Sequence, residues 1–297
     1  MRPLLCSILR ATVMETNAAP AGSTLGRVSD RLGECSHAIA ARAFGVAVGV
    51  RANDPDLLSK LIARLPPGSE TIDSELLDVR YSVFRQSASD AHSDDAVYIG
   101  VSGDQAFFKI GDESAALDLF ESTVRFDVAV SAADWLFVHA GVVRWRDQAI
   151  VVPAPSMHGK SRMVDALVRA GAGYYSDEFA VIDAGGLVHP FRIPLSLRNE
   201  SGGARRVVID LEDDAKPLPI GLVVATRYED GATWNPRRGT PGEAAMALLA
   251  NTVRARIAPA HTLTVLARAA EHAVLLDGPR GDADDAALRL LEESRQC

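Results

Sequence analysis

Gly159-Lys160-Ser161 places a permissive backbone, a cation on a long stem and a small hydroxyl side by side. The combination suits a polyanion: backbone amides approach its oxygens, the ammonium clamps it, and the hydroxyl ligates a divalent cation. The phosphate-loop pattern G-x-x-x-x-G-K-[ST] is met from Ala154 to Ser161 except at its first position, where alanine stands for glycine. Ala154, Pro155, Ser156, Met157, His158, Gly159, Lys160, Ser161 and the following Arg162 are therefore the expected nucleotide-binding stretch. Only four of the 31 basic residues are lysines, so a lysine here is more informative than in a lysine-rich chain.

Asp177-Glu178 is the second chemically suggestive pair, following the glycine-containing stretch Gly171-Ala-Gly and preceding the apolar run Phe179–Ile182. Phosphoryl transfer needs a carboxylate for the attacking hydroxyl's proton and oxygen ligands for Mg²⁺. Alone, such a pair reads as a solvated turn or a helix cap. Coupled to the loop, the pair could supply both a proton-accepting carboxylate and an Mg²⁺ ligand beside Ser161. His139 lies on an apolar strand just upstream, where a histidine is either a hydrogen-bonded core residue or part of the site. Arg198, Arg227, Arg254 and Arg256 are the candidate cations for the γ-phosphate, against the ordinary reading of each as solvated or paired. His37, His92, His189, His261 and His272 show no metal-ligand spacing.

These residues need a strand, a tight loop and a helix in that order. Ala149–Val152 is the apolar strand, and Met163, Val164, Leu167 and Val168 share one helical face, so the loop ends at a helix N-terminus that favours anions. Trp135–Val143 and Ala149–Val152, joined by the polar Arg144–Gln148, predict a hairpin leading into the loop. Further strands are expected at Phe179–Ile182, Leu195–Arg198, Val207–Asp210 and Leu222–Tyr228, and helices at Pro241–Val253, Pro259–Ala270 and Asp282–Glu293.

Upstream, the alternation of Phe44–Val50 predicts a strand, and Asp54-Pro-Asp-Leu-Leu opens a helix that ends near Leu65. Tyr81–Arg85, Val97–Val101 and Ala106–Ile110 read as strands, and Glu113 to Ala133 as a helix. The expected organisation is a loosely ordered leader over 1–40, a small α+β domain over 41–133 and a second domain over 134–297. The fold class is α/β in the second domain and α+β overall. Met14 is a candidate alternative start.

The net charge of −8 argues against nucleic acid as a partner, because phosphate-backbone affinity rests on a positive surface. Cys6, Cys35 and Cys297 form neither a disulfide framework nor a Cys-x-x-Cys pair, which fits a reducing cytoplasm. The apolar patch Leu4, Leu5, Ile8 and Leu9 is broken by Arg10 before it reaches signal-peptide length, and no stretch is long enough to span a membrane.

The hairpin with Val138-His139-Ala140, the Gly-Lys-Ser loop, the Ser176-Asp177-Glu178 turn and the following hairpin resemble the catalytic domain of HPr kinase/phosphorylase and its relatives. The likeness covers roughly residues 135–200 and includes kinases associated with peptide tailoring, through His189-Pro-Phe and Pro194-Leu-Ser-Leu-Arg198. Thr226-Arg-Tyr228 and Leu248–Val253 are also similar to those relatives. The resemblance implies a P-loop kinase domain that uses Mg-ATP to phosphorylate a serine-type hydroxyl of a small protein or peptide. Asp177 matches the family's catalytic aspartate and so the base, Glu178 stands where a second aspartate is usual and would be an Mg²⁺ ligand or lie in its outer shell, and His139 matches a histidine upstream of the loop. Ala154 and Met157 replace glycines common in the family, and Arg162 follows Ser161 where a smaller or acidic residue is frequent. A nucleotide-binding regulatory module without transfer activity, and a kinase of a small hydroxyl metabolite, stay open beside this reading. Homo-oligomers are common among those relatives.

Overall fold

The computed structural model describes residues 35–87, 96–103, 105–154, 159–198, 204–209 and 215–294. The chain is mixed α/β, with two large sheets, one two-stranded ribbon and six helices among the described residues. None of these helices is long and apolar enough to cross a membrane.

The first sheet has the order β3-β1-β2-β4-β5-β6, from β1 (His37–Ala43), β2 (Val46–Ala52), β3 (Glu70–Thr71), β4 (Val79–Ser87), β5 (Ala96–Ser102) and β6 (Gln105–Ile110). Two helices accompany it: α1 (Pro55–Ile62), capped by Asp54, and α2 (Glu113–Ser131), capped by Asp112. The strand expected over Phe44–Val50 is instead the second arm of a hairpin. Phe44 and Gly45 are its turn, with φ of 50° and 82°. This is the left-handed pair that matches strand twist. A phenylalanine is unusual there, and its ring is held edge-on by Trp135 and Phe137, with centroids 5.5 and 5.1 Å away. β1 also begins inside the expected leader, because residues 37–40 find ladder partners in β2.

The second sheet runs β11-β10-β7-β8-β14-β16-β15, with β9 also on β7. Its strands are β7 (Leu136–Trp145), β8 (Gln148–Pro153), β9 (Gly173–Ser176), β10 (Phe179–Ile182), β11 (Val188–His189), β14 (Ile220–Tyr228), β15 (Arg237–Gly239) and β16 (Val274–Arg280). β12 (Leu195–Arg198) and β13 (Ala204–Val207) form the separate ribbon, so β13 lies upstream of the strand expected over Val207–Asp210. β8, β14 and β16 are parallel neighbours; β14 and β16 end together at Tyr228 and Arg280, about three residues beyond the end of β8 at Pro153.

Alternate residues of these strands enter opposite cores, as a pleated sheet buried on both faces requires. Ile150, Val152 and Leu276 pack under α3 (Lys160–Arg169) and α6 (Ala283–Glu293). Ala149, Val151 and Leu275 pack under α4 (Pro241–Leu249) and α5 (Pro259–Ala269). α4 stops at Leu249, short of the Val253 expected, and turns follow. The two sheets share a core: Phe137, Phe179, Val181 and Phe191 join the cluster that contains Val50, Tyr81, Phe120 and Val128.

Candidate active site

Gly159 stands at the N-cap of α3 with φ 79°, and among the described residues no side chain caps that helix. α1, α2, α4 and α6 are each capped by an Asp or Thr oxygen. α3 thus shares with α5, whose N-cap is Ala258, the lack of a capping oxygen that the other four helices receive, at the end where an anion is favoured. Lys160, the first residue of the helix, is only 9% exposed. Its Nζ donates to His139 Nε2 at 3.0 Å, and His139 Nδ1 donates in turn to the Ala154 carbonyl at 2.8 Å. One imidazole therefore spans the two ends of the loop. Ala154 is buried and lies outside the positive-φ region, so a side chain replaces the first glycine without backbone strain.

The acidic pair is fixed by the antiparallel partner of β7. Ser176 lies opposite Val142 and Phe179 opposite His139, which sets Asp177 across from Gly141 in an unbroken register. Ser176 Oγ accepts from the amides of Glu178 and Phe179, both at 3.1 Å, and holds the bend there. Gly141 leaves room for the helix: a β-carbon on it would come within 2.3 Å of Val164 Cγ2 and 3.3 Å of Lys160 Cγ. Asp177 reaches the first turn of α3, where Ser161 Oγ donates to its Oδ2 at 3.1 Å. The Ser196 amide donates to the same oxygen at 3.2 Å, and Tyr174 OH, which also reaches the Ile193 carbonyl at 2.9 Å, lies 3.4 Å from the other. Tyr174 shares this side of the sheet with Asp177 because the ladder slips by one residue between Val142 and Val143.

Glu178 faces the first sheet. Arg125 Nη1 of α2 donates to its Oε2 at 3.0 Å, and the same guanidinium pairs with Glu121. Glu121, buried, also receives Arg64 at 2.8 Å and Arg206 of β13. The second acid is thereby tied to the turn after α1, to α2 and to the ribbon.

Burial dominates the electrostatics. It lowers Lys160 to about 8, against the opposing pull of Asp177 and Glu178. His139 is lowered to about 4 by burial and then by the charge of Lys160, so it is neutral at pH 7. Asp177 is raised by burial, opposed by the Ser196 amide, Lys160, Ser161 and Tyr174. Glu178 is raised by burial, opposed chiefly by Arg125 and Lys160. The site is an ammonium and two carboxylates in a poorly solvated corner, with an uncapped helix end above them.

The remaining expected residues lie in different places. Pro155, Ser156, Met157 and His158 fall outside the described residues, as does the side chain of Arg198. Arg162 is exposed on α3. Arg227 is exposed at the end of β14 and lies 3.7 Å from Glu229. Arg254 donates to the Ala132 carbonyl at the end of α2, and Arg256 is exposed in the turn beyond. Arg125, Tyr174, Ser196 and Arg280 are the groups the sequence did not single out. Arg280 Nη2 donates to the Gly159 carbonyl at 3.0 Å. A Tyr three residues before an Asp was the only one of these signals open to a reading by spacing, and it required knowing the slip in register.

No protein-family model, curated protein or solved structure matches this chain.

Proposed function

We propose that this chain is an Mg-ATP-dependent phosphotransferase of the HPr kinase type, acting on a serine-type hydroxyl of a small protein or peptide. The observation that carries the proposal is the contact of Ser161 with Asp177 beneath the uncapped end of α3, with Lys160 buried alongside. These are the positions needed to clamp a triphosphate and to meet an incoming hydroxyl.

In this reading the first amides of α3 and Lys160 Nζ take the β and γ oxygens. His139, neutral and committed through Nδ1 to Ala154, holds the ammonium in place rather than exchanging protons itself. Ser161 Oγ is a hard oxygen donor of the kind Mg²⁺ takes and would hold the ion with phosphate and water completing its shell, while Asp177 is left as the base and Glu178, paired to Arg125, would stay in the outer shell. The metal, when bound, would neutralise charge on the phosphate oxygens. Asp177, its proton affinity raised by burial, accepts the proton as the acceptor oxygen bonds to the γ-phosphorus and the bond to the β–γ bridging oxygen breaks. ADP and the phosphorylated acceptor leave.

The test is transfer from γ-labelled ATP with Mg²⁺ to candidate small proteins and peptides. Lys160→Ala should lose both nucleotide binding and transfer. Asp177→Asn should keep binding while transfer falls by roughly 10²–10⁴-fold. Unlabelled acceptor with wild type, despite nucleotide binding, would point instead to a regulatory module.

A further inference from the structure

Arg280 closes β16 beside Tyr228 at the end of β14, and it is 2% exposed. Its Nη1 donates to the Gly281 carbonyl and its Nη2 to the Gly159 carbonyl, each at 3.0 Å. The guanidinium carbon lies 5.9 Å from the centre of the Tyr228 ring. Its Nε is buried and has no hydrogen-bond partner. Among the described residues no carboxylate comes within ion-pairing distance of it. Asp282, the nearest acid along the chain, caps α6 through its Oδ1 and attracts the guanidinium only from beyond ion-pairing distance. Arg162 is the other charged group acting on Arg280, and it is of the same sign.

A buried cation with no carboxylate in direct contact is costly, and a folded chain normally pairs it. Here the charge is instead pressed against the N-cap residue of α3. Gly159 fits that approach in two ways: its positive φ, and the lack of a β-carbon, which would lie 2.5 Å from Arg280 Nη2. The Gly159 carbonyl also accepts from the Met163 amide, so Arg280 fixes the peptide that starts the helix. Charge and geometry converge on the point where α3 begins.

We propose that Arg280 is a positioning residue of this site, holding Gly159 in its left-handed turn and supplying a standing positive charge whose missing partner is a polyphosphate bound at the start of α3. The inference rests on the phosphate-loop reading above, and it adds a cation from the far end of the chain to the local Lys160. It also assigns the ligand class by charge: a triphosphate or diphosphate, with or without a nucleoside.

The experiment compares wild type, Arg280→Gln and Arg280→Lys as full chains. Thermal unfolding is followed alone, with inorganic tripolyphosphate, and with Mg-ATP. The glutamine amide keeps a donor for the Gly159 carbonyl without the charge, whereas lysine keeps the charge without the planar fork. Arg280→Gln should melt no lower than wild type, since it removes an unpaired buried charge, yet bind tripolyphosphate at least about ten-fold more weakly. Arg280→Lys should recover most of that loss. A glutamine variant that melts lower and binds tripolyphosphate within two-fold of wild type makes Arg280 purely structural and overturns the proposal. A lysine variant that binds no better than glutamine, or that loses the response when glutamine does not fold, also overturns it. Wild type that responds to tripolyphosphate through Arg280 but not to Mg-ATP sinks the nucleotide kinase reading and leaves this one standing. Mg-ATP binding untouched by either substitution does the reverse, and wild type that responds to neither ligand removes both.

Discussion

Lys160 is the residue whose environment makes the sharpest solution prediction. Its ammonium is depressed to about 8, below the usual lysine range, by burial that two carboxylates only partly offset. A bound triphosphate adds negative charge and must raise it. Wild-type affinity for Mg-ATP should therefore be level below pH 8 and fall as pH rises above it, by up to about ten-fold per pH unit, with proton uptake on binding near pH 8 to 9. Calorimetry in buffers of different ionisation enthalpy reads that uptake directly. An affinity flat to pH 10 would mean that the ammonium does not face phosphate. His139 gives the complementary prediction for stability. Its proton affinity is lowered to about 4, so the unfolded chain binds the proton more readily between pH 4 and 6.5. Stability should fall as pH drops through that window, by at most about 3 kcal/mol, and His139→Gln should flatten the slope in denaturant titrations.

At the scale of elements, the site depends on how closely α3 approaches β7. Gly141 sits where any side chain would strike Val164 and the stem of Lys160. Gly141→Ala should destabilise the fold by about 1–3 kcal/mol and weaken nucleotide binding more than a distant substitution of equal cost. Much of this arrangement was legible in the chain because its chemistry is contiguous. The apolar Ala149–Val152, the Gly-Lys-Ser tripeptide and the face of Met163, Val164 and Leu167 announce strand, loop and helix together. α1, α2, β5, β6, β10 and β12 also lie close to where periodicity and caps put them. β16 was not legible, since Val274-Leu-Leu-Asp-Gly-Pro-Arg280 ends in turn-forming residues although it pairs along its whole length with β14. Arg280 went unseen with it. The Phe44 turn was missed for another reason: aromatic packing on Trp135, Phe137 and Phe191 outweighs the poor fit of a bulky residue at positive φ. Arg125 carries no local signal at all, because its meaning comes from Glu121 and Glu178 on separate elements.

For the molecule as a whole, the shared core between the two sheets governs how the chain should unfold. Phe137 on β7 and Phe179 on β10 pack in one cluster with Phe120 and Val128 on α2, so neither sheet buries its apolar face alone. Phe137→Ala should cost about 3–5 kcal/mol. Secondary-structure and tertiary signals should still fall in a single coincident transition, and two separated transitions would refute the shared core. The same junction carries the ion network that runs from Arg64 and Arg206 through Glu121 and Arg125 to Glu178. A partner that docks on α2 or on the ribbon would therefore press directly on the second acid.

The slip between Val142 and Val143 has a consequence of parity. On an even ladder, side chains an odd number of steps apart look away from one another, so Tyr174 and Asp177 should sit on opposite sides. One surplus residue cancels the odd step, and phenol and acid come to look the same way. Upstream of it, the phase of the chain is set by where tyrosine prefers to be buried, among Val143 and Leu167. Downstream, it is set by which acid meets the loop. The irregularity acts as a phase shifter, letting two incompatible rhythms run on a single strand.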